Sequence, residues 1–247
     1  MTAVTKATPF PLDIPKEFED AGFEGADSDA YAIPFLRILQ SNSPQVNEDE
    51  ESYIDGAKPG MFFNTVSRKV YGKEVKVIPI RYKRDFVEWR PDRGGFAGNH
   101  GADPSLLEEC TRNERNQDVL PNGNVLQDTR NHFVMIADSI EDGPMVFSLT
   151  STGIRHSKNW MSSMVALRLE NGKKPPMFYS IWELRTVINE NDEGKWYQVG
   201  SKSMTGIKWM SWLETEAQYN AAKAAFELTE SKIEVAYDKG EKGDIPF

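Results

Sequence analysis

Seventeen residues, KEVKVIPIRYKRDFVEW from Lys73 to Trp89, constrain the fold more than any other feature of the chain. They are rich in β-branched and aromatic side chains, which suit a pleated, half-buried backbone. A strand of that length is about three times the usual one. It carries apolar and basic side chains on both parities. A strand that bends and passes from a buried to an exposed setting has this pattern. On strict alternation Arg81, Lys83 and Trp89 share one face, and Tyr82, Arg84 and Phe86 share the other.

The remaining strand signals fall around it. GMFFNTV precedes it, and NHFVMIADS and PMVFSLTS follow, separated by the turn IEDG. Between Ile154 and Leu169 the period changes. Trp160, Met161, Met164, Val165 and Leu169 fall on helical spacing, with Asn171 and Gly172 as the stop. MFYSIWELRTVI and KWYQVGSKSM read as two more strands joined by NENDEG. Thr215 and Gln218 fit a capping box opening a last helix to about residue 238. The predicted class is mainly β with accessory helices. A helix between the third and fourth of five strands is the connectivity of an OB-fold, a partly open Greek-key barrel. The alternative architecture is another α+β sheet with the helix on one face. Residues 1–57 read as an acidic, partly ordered segment and 58–214 as the barrel domain, with a long polar loop at about 94–128. Residues 215–238 read as the C-terminal helix and 239–247 as a flexible tail.

The net charge of −9 would argue against a polyanionic partner, yet the charge is unevenly spread. Residues 1–57 hold 3 basic and 12 acidic side chains, residues 58–214 hold 22 and 19, and residues 215–247 hold 4 and 7. The middle of the chain is mildly basic between acidic ends, so it can meet phosphates. No apolar run is long enough for a membrane span. The N-terminus lacks the apolar core of a secretory signal. A single cysteine, Cys110, excludes a disulfide framework. The expected location is the cytoplasm.

Two groups of residues carry nucleic-acid chemistry. Unpaired bases offer flat faces and the backbone offers phosphates, so a strand is held by rings interleaved with cations. Arg81, Lys83, Arg84, Trp89 and Arg90 supply both on the long strand and its exit, with Tyr82, Phe86 and Arg93 beside them. Arg155, Lys158 and Trp160 supply both at the helix start, where backbone amides also suit a phosphate. On the late strands Trp182 alternates with Phe178 and Leu184 as a core residue would. Trp196 and Tyr197 follow a turn and belong near a rim. No catalytic residue emerges. His100, Cys110, His132 and His156 match no standard zinc spacing, and GGFAG lacks the Lys-Ser/Thr of a phosphate cradle. No cofactor, no metal and no enzymatic activity are expected.

The chain ends in Gly243, Asp244, Ile245, Pro246 and Phe247. Its last four residues resemble the tip of bacterial single-stranded DNA-binding proteins, which end in an acidic run followed by Ile-Pro-Phe. That resemblance implies that Phe247 enters an apolar pocket of a partner, with its carboxylate on a basic residue. Here only Asp244 adjoins the tip, and Lys239 and Lys242 lie upstream. The stretches PFLRILQSNSPQV, GAKPGMFFNTVSRKVYG, VEWRPDRGGFAGNHG and FSLTSTGIRHSKNWMSSM resemble phage single-stranded DNA-binding proteins of the OB-fold type. The resemblance implies sequence-nonspecific single-stranded DNA binding in phage replication or recombination, and a tip that recruits host or phage proteins. The alternative is a protein-interaction module that copies the host tip to recruit or inhibit host proteins. A homo-oligomer is compatible with either.

Overall fold

The computed structural model describes residues 33–91, 94–192 and 194–229, which belong to one compact unit. In chain order the strands are β1 (Leu36–Ile38), β2 (Phe62–Asn64), β3 (Val70–Gly72), β4 (Glu74–Trp89) and β5 (Phe96–Asn99). A short helix, α1 (Leu106–Glu109), is followed by β6 (Thr111–Arg112), β7 (Asp118–Val119), β8 (Val125–Ile136) and β9 (Met145–Thr150). Then come α2 (Ile154–Ala166), β10 (Ser180–Asn191), β11 (Gly194–Val199), β12 (Ile207–Trp212) and α3 (Glu216–Leu228).

The architecture is mainly β. A nine-stranded sheet curls into part of a barrel in the order β11-β10-β4-β8-β7-β6, with β12 on β10, β5 on β4 and β9 on β8. The three strands β1-β2-β3 form a small antiparallel sheet of their own. An isolated parallel bridge, Phe35 to Val146, ties the lead into β1 to β9.

The mixed parity of β4 has a physical cause. The sheet is covered on both faces, so a half-apolar alternation would leave one cover unfilled. Val75 and Val77 face a core shared with Val134, Ile136, Phe147, Leu184 and two residues of α2, Trp160 and Met164. Ile78 and Ile80 face the other side, where Phe133 and Met135 meet Ala222 and Ala225 of α3. A register shift between Pro79 and Arg81 separates the two halves. Beyond it come Arg81, which reaches back to the end of α3, and then Lys83 and Arg84.

Two stretches differ from the sequence expectation. The polar stretch at 94–128 contains β5, α1, β6 and β7, held by a small apolar cluster of Phe86, Leu120 and Leu126 with Leu106, Leu107 and Cys110. Its periodicity is illegible because each element is at most four residues long. Strand β12 is new, and it pairs with β10 from Leu184–Ile207 to Ser180–Trp212. Helix α3 starts at the expected capping box, with Thr215 accepting from the Gln218 amide, and its described part ends at Leu228. The expected extension to 238 and the tail lie outside the described residues.

Candidate nucleic-acid interface

The long-strand cations are largely committed to the protein itself. Arg81 donates to Thr229 Oγ1 at 3.2 Å and to the Phe226 carbonyl at 3.1 Å. Its guanidinium also lies 4.4 Å from the centre of the Phe226 ring. It therefore pins the end of α3. Lys83 Nζ is 3.2 Å from Asp85, whose side chain is wholly buried and also accepts from Asn131 at 2.8 Å. Arg84 grips Asp128 through two bonds of 3.0 and 2.8 Å. Arg130 shares that carboxylate at 2.7 Å and donates to the Tyr82 hydroxyl. One carboxylate between two guanidinium groups leaves that patch with a net positive charge. The expected alternation holds here: Arg84 stacks 4.4 Å over Phe86 on one face, and Lys83 meets Asp85 on the other.

Trp160 corrects the sequence expectation. It is 1% exposed, stacked on His132 at 4.6 Å and edge-on to Trp182 at 6.2 Å. No base can reach a ring at that depth, so its place is the core that seats α2 on the sheet. Trp182 is buried as expected, with Leu184 beside it. Phe178 is buried too, yet it lies in the opposite core, because it precedes the strand in a 3-10 turn at Met177–Tyr179.

The outlying cations have open charges. Arg90 is exposed and donates only to the Phe96 carbonyl. Arg155 is exposed and donates to the Ser201 carbonyl on the β11–β12 loop. Lys158 is exposed on the same turn of α2. Among the described residues none of the three has a carboxylate within ion-pair distance. Arg93 and the tip residues Asp244, Ile245, Pro246 and Phe247 lie outside the described residues.

A cleft of about 150 Å³ opens where β9 and β11 fail to meet. Beyond the Phe35 bridge no strand of the described residues pairs with β9 on its far side. Its walls carry Phe35, Trp89, Phe147, Trp196 and Tyr197 as rings. Gln127, Thr129, Ser148, Thr150 and Gln198 supply amides and hydroxyls. Among the described residues Arg37 is the one charged residue on the lining, and no Asp or Glu is among them. In a chain carrying 38 carboxylates, a cleft whose described lining has none of them is electrostatically distinct.

Local structure explains the β11 wall. The Gln40 carboxamide takes the place of a strand neighbour: it accepts from the Tyr197 amide at 2.8 Å and donates to the Tyr197 carbonyl at 2.9 Å. Gly60 lies against the Tyr197 ring, so close that a Cβ there would sit 2.6 Å from it, and its φ of +87° also calls for glycine. Lys73 covers the ring at 5.2 Å. Trp89 is fixed edge-on to Phe96 at 6.1 Å. Sequence reasoning found Trp89 and placed Trp196 and Tyr197 at a rim. It missed Phe35, Arg37 and Gln40, which come from a segment about fifty residues upstream of Trp89 and have no local signal.

The buried histidines belong to the scaffold. His132 is completely buried with Nε2 2.8 Å from Ser157 Oγ, and burial, helped by Arg130, pushes its pKa down to about 3. Burial and then Arg155 lower His156 as well. His100 meets Glu88 at 2.7 Å. Hydrogen bonds from Asn124 and Asn122 hold the Glu88 carboxyl below its usual range. Burial raises the Cys110 thiol, which disfavours the nucleophilic thiolate. Among the described residues no three His, Cys, Asp or Glu side chains converge as metal ligands. No helix of the described residues is long and apolar enough to cross a membrane.

No curated protein and no solved structure matches the chain. A family model does match, over residues 5–234, which takes in all the described residues. The chain thus belongs to the family of Pam3 phage gp34-like proteins.

Proposed function

We propose that this phage-family protein binds single-stranded DNA without sequence preference, through the cleft between β9 and β11, in phage DNA replication or recombination. The observation that carries the reading is the composition of the cleft's described lining: five rings, neutral hydrogen-bonding groups, one cation and, among the described residues, no carboxylate. Rings accept any base by stacking, which is why such sites tolerate sequence. Amides and hydroxyls satisfy base edges without demanding one pattern. Lys73 over the Tyr197 ring, Arg90 next to Trp89 and Arg155 donating to the β11–β12 loop give the backbone its counter-charges, with Lys158 exposed on the same turn of α2 as Arg155. Arg81, Lys83 and Arg84 act one step back, by holding α3, Asp85 and Asp128 in place.

The strand order supports an OB-type barrel. Taken as a set of five, β4 neighbours β8, β8 neighbours β9, α2 follows β9, and β10 returns to β4 and carries β11. The open seam is then the gap between the third and fifth strands. We propose as well that the Asp244 to Phe247 tip docks on replication or repair proteins, a reading that rests on the sequence.

The test is a fluorescence titration with oligo-dT at two salt concentrations. Replacing Trp89 and Trp196 together by Ala should weaken binding by roughly 30-fold or more, since each stacked base contributes about 1–3 kcal/mol. Duplex of the same length should bind far less tightly. A folded double variant with parental affinity would remove the cleft from the binding site.

A further inference from the structure

A hydroxyl has one proton to give, and on the cleft's lining Ser148 has already given its own. Ser148 Oγ donates to Asn131 Oδ1 at 2.6 Å, and Asn131 Nδ2 donates to Asp85 Oδ2 at 2.8 Å. The direction of this chain is fixed from its inner end. The Asp85 side chain is wholly buried, and Lys83 Nζ stands 3.2 Å from its other oxygen. A carboxylate beside an ammonium group offers acceptors only. It therefore draws the NH2 of Asn131, itself wholly buried, and turns the carboxamide oxygen toward Ser148. The reversed amide would set its oxygen against the carboxylate. Ser148 is left with lone pairs, which accept and do not donate.

The place of Ser148 in the sheet is a separate observation. Thr129 and Ser148 both line the cleft. Thr129 lies on β8, which is paired on both sides, by β4 and by β9, so the cleft reaches it over the face that carries its side chain. In register Thr129 stands opposite Thr150, and Asn131 stands opposite Ser148 two residues on, so Ser148 rises on that same face. Thr129 spends its own proton on the Gln127 carbonyl at 3.3 Å. Neither hydroxyl has a proton left for a ligand.

We infer that Ser148 presents a fixed acceptor that takes an N–H from the Watson–Crick edge of one base in the bound strand, with Asn131 and Asp85 as positioning residues behind it. The inference rests on the cleft being the DNA site. Every base carries such a donor: the ring N–H of thymine and guanine, the amino group of adenine and cytosine. One acceptor therefore tolerates sequence. In a duplex the same donors are engaged by the opposite base. The contact thus distinguishes an unpaired base from a paired one by its edge, whereas phosphate contacts carry no such information.

The test moves a single N3-methylthymidine along a short oligo-dT. The modified base can still stack and the strand keeps its charge, but a methyl group replaces the edge donor. With the parent protein one position should cost roughly five- to tenfold in affinity. Ser148→Ala changes a half-buried residue. It should weaken the unmodified strand roughly threefold and remove most of the cost of the methyl group. Asp85→Asn, with its folding checked by a melting curve, lets the Asn131 amide reverse and should reduce that cost too. A folded Asp85→Asn variant that keeps the full cost would overturn the relay behind Ser148. Full cost in Ser148→Ala would mean that the methyl group is excluded by its shape alone, and would overturn the acceptor. A parent with no sensitive position would also overturn it, while the cleft stands or falls on Trp89 and Trp196. If the parent binds no oligo-dT, the cleft reading fails and takes the acceptor with it.

Discussion

His132 is a base kept neutral by its surroundings. It lies between Trp160 and Tyr82, bonded to Ser157, and its pKa is pushed down to about 3. The unfolded chain protonates the same ring near 6.5. Below that value the unfolded state therefore binds the extra proton and the folded state does not. The neutral ring's contribution to stability is complete above pH 6.5 and is lost progressively as the pH falls toward 3, by about 1.4 kcal/mol per unit for one such group. His156 shifts in the same direction, and Glu88 adds a loss lower down, as its carboxyl is protonated. Urea unfolding at pH 7.5 and at pH 5 should show a clear fall in midpoint, and His132→Phe should flatten it. An unchanged midpoint in the parent protein would mean that His132 is not buried as described.

At the scale of elements, the cleft depends on one side chain standing in for a strand. Gln40 satisfies both backbone groups of Tyr197 and holds the β11 wall against the segment that leads out of β1. Gln40→Ala leaves those groups to water and frees the wall. Oligo-dT affinity should fall roughly three- to tenfold while the fold survives. Gln40→Glu can accept from the Tyr197 amide but sets a carboxylate against its carbonyl, so it should not restore binding. Equal affinity across the parent and both variants would separate the wall from binding. α3 illustrates a different dependence. Its start was legible as Thr215 and Gln218, because a capping box is a local pattern. Its seat was not, since Ala222 and Ala225 pack on strand residues about ninety positions earlier and Arg81 reaches across to its last turn.

For the whole molecule, the two proposed functions fall on parts of the chain that differ in charge. Among the described residues the cleft carries no acid on its lining, and the last four residues close a stretch, 215–247, with 4 basic and 7 acidic side chains. Removing residues 244–247 should abolish capture of a partner that reads such a tip and leave oligo-dT affinity at low salt within about twofold. Loss of DNA binding along with the tip would mean that the two are one site. The affinity should fall steeply with salt, because each phosphate contact releases counterions. A slope near zero would leave stacking as the only force.

The sequence by itself determined the class of the fold and the local punctuation: the long strand, the helix after the PMVFSLTS signal, the capping box, and a basic centre between acidic ends. Those are properties of neighbouring residues, and short-range sterics and periodicity express them. Only the tertiary structure decided which cations are free and which rings are accessible. Arg81, Lys83 and Arg84 read as one basic stretch until α3, Asp85 and Asp128 arrive from elsewhere to engage them. Trp160 and Trp196 are equally aromatic in the sequence, yet one is buried under α2 and the other lines an opening. Burial and ion pairing are set by residues far apart along the chain, so no local pattern records them.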